Sequence, residues 1–187
     1  MSIFQDILIE NPIIAAIRND KDLEEVIETE NKVVFILYGS IMTIGRIAQR
    51  LKEADKIIFV HLDMIDGLRN DEAGIPFIKQ EANPYGIITT KQSQIKTAKN
   101  LGLVTILRLF IIDSKSLLTG NKYVEEVKPA AIEVMPGVST KIIKTCVKTM
   151  KISVIAGGLI ETKEEVINSL NAGAIAVSTT KREIWDM

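Results

Sequence analysis

Cysteine, aromatic residues and long apolar runs are all scarce in this sequence, and each shortage removes a class of protein. The single cysteine, Cys146, has no partner for an internal disulfide, so the chain suits a reducing, cytoplasmic compartment. It lies in an amphipathic segment with no histidine nearby, which reads as packing rather than catalysis. Aromatics make up 5% of the residues, too few for the stacking platforms that read single-stranded RNA. Apolar runs stop at six or seven residues, well short of the ~20 that span a bilayer. The start, MSIFQDILIENP, carries acids early and lacks the basic region of a signal peptide. Net charge is also small, at −1. Its distribution is not even: residues 1–85 hold 15 acids and 9 bases, and residues 86–187 hold 9 acids and 14 bases. Such asymmetry points weakly to an anionic partner on one side.

What the chain has in abundance is a repeat. Short β-rich runs recur about every 23 residues: IIAAI, VVFILY, IIFVHL, YGIITT, LVTILRLF, AIEVM, ISVIA and AIAVST. Helix chemistry fills the gaps. Asp20 and Asp22 precede LEEVIE, Thr162 and Glu165 form a capping box, and Gly102 and Gly173 stand where helices end. Near-continuous apolar strands imply a parallel sheet covered by helices. Eight repeats predict one domain, residues 1–187, folded as a compact (β/α)8 TIM-like barrel with short loops. An open doubly wound sheet is the alternative. Residues 181–187 leave little for an eighth crossover helix.

In a barrel, function gathers where strands end. Gly157 and Gly158 follow the seventh strand, and Ser178 and Thr179 close the eighth. Paired glycines admit an anion close to the backbone, hydroxyls add donors, and a following helical turn adds its dipole, so these four residues are phosphate candidates. Turn glycines beside a helix cap are the plain alternative. His61 and Asp63 share strand parity and suit a general base with its orienting acid, a metal pair or a structural polar layer. No third ligand stands out, so neither metal nor cofactor is expected. Arg18 and Arg108 stand near apolar strand ends, where an unpaired guanidinium is costly; Glu133 or Asp113 is the expected partner of one of them. Lys141, Lys144, Lys148 and Lys151 line one helix face, and Lys96 and Lys99 lie on an earlier helix. Together they are either a solvated face or a footprint for RNA phosphates.

The blocks IIAAIRNDKDLEEVIE, HLDMIDGL, GIITTK, IEVMPG, VIAGGLI and NAGAIAVSTT, in that order, closely resemble the glycerol uptake operon antiterminator family from about residue 12 to residue 185. That resemblance implies a barrel-like regulator that responds to glycerol 3-phosphate and acts on the mRNA leader of glycerol-utilisation genes to prevent transcription termination. It implies that Gly157, Gly158, Ser178 and Thr179 hold the phosphate, with His61, Asp63, Lys91 and Arg108 around the glycerol end. Two positions depart from the family pattern: Ser40 stands where an acid is expected, and Leu107 where a glutamine is. No Schiff-base lysine stands on strand six, and His61-x-Asp63-x-x-Asp66 has the spacing of the decarboxylase D-x-K-x-x-D motif without its lysine. An isomerase or lyase acting on a triose or sugar phosphate is the enzyme alternative. A homo-oligomer built through an outer face is compatible with the pattern.

Overall fold

The computed structural model describes residues 2–69, 71 and 73–187. Its strands are β1 (Ile13–Ile17), β2 (Val33–Ile36), β3 (Ile57–His61), β4 (Gly86–Thr89), β5 (Val104–Phe110), β6 (Ala131–Met135), β7 (Ser153–Gly157) and β8 (Ala176–Thr179). All pair in parallel in chain order, and β8 closes on β1, so the sheet is a barrel and not an open wound sheet. The crossovers are α2 (Asp20–Ile27), α3 (Ile44–Glu53), α4 (Gly74–Glu81), α5 (Gln92–Asn100), α6 (Ser114–Val127), α7 (Thr140–Met150) and α8 (Lys163–Asn171), and the chain ends in the short α9 (Arg182–Trp185). Among the described residues no helix is long and apolar enough to cross a membrane.

Alternation along each strand divides the core in two. Outward residues such as Val34, Val60, Leu107 and Val177 meet the helices. Inward residues Ile14, Val33, Phe35, Phe59, Ile106 and Ile155 fill the barrel itself. The N-terminal segment holds an element the repeat did not predict. Helix α1 (Ile3–Glu10) starts from a Ser2–Gln5 capping box and sends Phe4 and Leu8 into the inward cluster. The Phe4 ring stands 5.7 Å from that of Phe59. The bottom of the barrel is therefore plugged, and the strand C-termini form the open end.

The Thr162–Glu165 capping box forms as expected. On α2 the cap is Asn19, with Asp20 and Asp22 in the first turn. Gly102 and Gly173 adopt positive φ after α5 and α8. Cys146 is fully buried among apolar side chains.

Candidate functional site

One residue pair above the apolar plug, the inward positions turn polar. His61, Arg108, Glu133 and Ser178 follow Phe59, Ile106, Ala131 and Ala176 by one strand repeat, so they share a layer. Arg108 Nε donates to Glu133 Oε2 at 2.7 Å, and Ser178 Oγ donates to Glu133 Oε1 at 2.6 Å. Glu133 is the partner Arg108 required, and it is wholly buried. Asp113 instead caps α6, accepting from the Ser116 N–H. Arg18 is exposed, with no ion-pair partner among the described residues.

Gly157 earns its place in this layer for a reason the sequence hid. A Cβ there would stand 2.5 Å from Glu133 Oε1 and 2.7 Å from Ser178 Oγ. The missing side chain makes room for the buried carboxylate. The next glycine differs: Gly158 has φ +82° and leads into Leu159 at φ +60°, a leucine left 71% exposed. The same loop is tied to the start of α7. The Gly137 N–H donates to the Gly157 carbonyl at 2.6 Å and lies 3.2 Å from the Gly158 carbonyl.

His61 is 1% exposed, and neither ring nitrogen has a partner among the described residues. Burial, then the Arg108 charge, pushes its pKa down to about 3 against an opposing pull from Asp63. Asp63 lies 3.8 Å from Nδ1 but bonds elsewhere. Its Oδ2 accepts from the Thr90 N–H at 2.9 Å and the Thr90 hydroxyl at 3.1 Å, while the Thr89 hydroxyl, 3.3 Å away, donates to Gln94 Oε1. Asp63 Oδ1 lies 3.7 Å from Lys91 Nζ.

The turn that holds Asp63 occurs twice. His61 pairs in register with Ile88, and Gly157 with Ser178, so Ile88-Thr89-Thr90-Lys91 and Ser178-Thr179-Thr180-Lys181 occupy matching places in the two half-barrels. In both, the first threonine hydroxyl accepts from the lysine N–H, at 3.1 Å for Thr89 and 3.0 Å for Thr179. The position that matches Asp63 is Leu159. One turn therefore carries a protein carboxylate and the other carries none. Among the described residues no protein group accepts from the Thr180, Gly158 or Leu159 N–H.

A model of the glycerol-3-phosphate responsive antiterminators matches residues 13–185. The chain belongs to that family. A protein of Escherichia coli K12, YgcP, is 38% identical over 181 residues, covering 97% of this chain and 95% of the relative. The solved glycerol uptake operon antiterminator regulatory protein of Listeria monocytogenes has a TM-score of 0.89 at 35% identity, covering 92% of this chain and 94% of that one. A glycerol uptake operon antiterminator-related protein of Thermotoga maritima has 0.84 at 35% identity, covering 95% and 99%. An aldolase at 13% identity and TM-score 0.76 shares the barrel, which shows the fold alone.

Within this barrel, the expected site residues divide. Gly157, Gly158, Ser178, His61, Asp63, Lys91 and Arg108 all gather at the open end, but several are already occupied. The Ser178 hydroxyl is spent on Glu133. Thr179 points outward to the helices, donating to the Ile160 carbonyl at 2.7 Å, so Thr180 is the residue that faces the mouth. Helix α9 has four residues and supplies no extended dipole. Leu107 faces the helix layer and is fully buried, so the departure there acts on packing. Ser40 hydrogen-bonds Thr43 and the Met42 N–H within its own loop. Lys141, Lys144, Lys148 and Lys151 are exposed on α7 and at its C-cap, with no ion pair among the described residues. Lys96 is exposed on α5, while Lys99 reaches the carbonyls of Val127 and Lys128 and closes the end of α6. Neither Thr180 nor the repeated T-T-K was singled out in the sequence, although the repeat itself was visible there.

Proposed function

We propose that the chain is a transcription antitermination regulator that takes glycerol 3-phosphate at the β7–β8 end of the mouth and leader RNA on its basic half. Asp63 carries the reading. Its carboxylate, held by the N–H and hydroxyl of Thr90 with the Lys91 ammonium nearby, marks the T-T-K turn as a cradle for an oxyanion. The matching turn, Thr179–Lys181, faces paired glycines instead of an acid and so suits an anion from outside. Membership of the antiterminator family supports glycerol 3-phosphate as that anion. Arg18 and Lys181, which flank this end of the mouth without ion-pair partners among the described residues, complement a phosphate monoester that carries nearly two negative charges at neutral pH. The work belongs in the cytoplasm, in keeping with the unpaired Cys146.

The isomerase or lyase alternative needs a proton carrier within reach of substrate. His61 is sealed and held neutral, which favours the regulator. For RNA, the α7 lysines stand on one helix face with successive Cβ atoms about 5–6 Å apart. A ligand can act as a switch only through unequal affinity for two states, so glycerol 3-phosphate must bind the RNA-competent form more tightly.

A phosphorus NMR titration of glycerol 3-phosphate, followed over hours, tests the reading. The expected result is a shifted or broadened ligand resonance with no new species, abolished by Gly158→Val and weakened by Lys181→Gln. A product resonance growing with time would establish the enzyme instead, and unchanged affinity in both variants would move the anion elsewhere. Replacing Lys144 and Lys148 by glutamine should lower the salt slope of RNA binding by about 1.4, at roughly 0.7 per lost phosphate contact.

A further inference from the structure

A hollow beside the end of β5 lies on a different side of the mouth from the β7–β8 turn. It has a volume of 380 Å³ between the end of β5 and the outer part of α6, within the range of about 300–1,000 Å³ usual for small-ligand sites. Its walls include Thr90, Arg108, Phe110, Ile112, Lys115 and Tyr123. Phe110 ends β5, two residues on from Arg108, and is left 56% exposed. Arg108 is 5% exposed. Its Nε is fixed by Glu133, while its two terminal nitrogens meet no protein acceptor among the described residues. A guanidinium this deeply buried, on a residue that lines the hollow and with terminal nitrogens unmatched among the described residues, is an unfinished interaction. Asp113 is the one acid in the lining, and its Oδ1 is already committed to the Ser116 N–H.

A polyol phosphate has no use for the apolar walls, and a hydrocarbon has no use for Arg108 and Lys115. A flat heteroaromatic ring joined to a phosphate uses both. We propose that this hollow is a nucleotide site: the base stacks on the exposed Phe110 face, and the phosphate is met by Arg108 and Lys115. The hydroxyls of Thr119 and Tyr123, which also line the hollow, offer hydrogen bonds to the base edge. The nucleotide is either free in solution or one residue of an RNA strand, which share this chemistry. In the second case RNA would reach the mouth itself and not only the lysines of α7.

The test is calorimetric titration of the full chain with AMP and, separately, with a single-stranded RNA of about ten nucleotides. Phe110→Ala is expected to weaken both by on the order of tenfold, the loss of one stacked base. Phe110→Tyr should retain affinity, because it keeps the ring. With Lys144 and Lys148 replaced by glutamine to remove the α7 contribution, RNA binding at least about tenfold tighter than AMP assigns the site to a strand, and equal affinities assign it to the free nucleotide. Failure of both probes to bind overturns the proposal, as does binding that is indifferent to Phe110→Ala. Glycerol 3-phosphate affinity measured on the same variant stays unchanged if the two sites are separate, so the failure of one assignment is visible apart from the other.

Discussion

His61 is the chain's only histidine, which makes the titration of one buried ring readable in the stability of the whole fold. In the native state its pKa is about 3, against an ordinary value of 6.5. Between those values the unfolded chain accepts a proton that the native chain refuses. The neutral ring's contribution is complete above about pH 6.5 and is lost as pH falls, at about 1.4 kcal/mol per pH unit once well below 6.5. At pH 5 the loss is about 2 kcal/mol, and it approaches about 5 kcal/mol near pH 3. With the ring 1% exposed, solvent screening takes little from these figures. Urea unfolding at pH 7.5, 6 and 5 measures the effect, with His61→Leu as the reference. The native chain should lose about 2 kcal/mol between pH 7.5 and 5 that the variant keeps. The lowered carboxylates of Glu24, Asp113 and Glu165 act at lower pH and equally in both proteins. Since neither ring nitrogen has a hydrogen-bond partner among the described residues, His61→Leu should be at least as stable at pH 7.5. Parallel pH curves for the two proteins would refute the reasoning, as would a folded-state imidazole proton resonance that titrates near pH 6.

Three further outcomes follow from the same layer and the core around it. Glu133→Gln removes the partner of a guanidinium 5% exposed and should cost about 3–5 kcal/mol by urea unfolding. Gly157→Ala drives a methyl against the Glu133 carboxyl and the Ser178 hydroxyl, with an expected loss of about 1–3 kcal/mol. Adding Ser178→Ala should recover part of that loss, and strict additivity would show that the crowding is not shared. Burial pushes the Cys146 thiol up to about 11, so a colourless-to-yellow thiol reagent should react with it only as fast as the chain opens, and promptly in urea.

The barrel was legible because parallel strands buried on both faces read as unbroken apolar runs, spaced evenly by helices with ordinary caps. Helix α1 was not, because eight residues with two buried side chains leave no pattern that distinguishes a plug from a loose end. The paired glycines stood out in the sequence as phosphate candidates, but proximity to Glu133, 24 residues earlier in sequence, gives the first of them a packing reason, and no local signal carries such a contact. Thr179 and Thr180 differ by a single step of strand phase, which turns one to the helices and the other to the mouth. The run AVSTT alone does not say where that phase falls, whereas Ser178 bonded to Glu133 fixes it.

The Gly137 amide joins two stretches of backbone that perform different tasks. Its donation to the Gly157 carbonyl, with the Gly158 carbonyl also near, splices the β7 loop to the segment that launches α7. A Cβ at Gly137 would stand 2.6 Å from the Gly157 nitrogen, so the splice has no slack. If an incoming phosphate rotates the Gly157–Gly158 peptide, the carbonyl that holds Gly137 rotates with it, and the pull arrives at Ser139, the cap of α7. The lysine-bearing helix is thus mounted on the same hinge pin as the loop that would grip the effector.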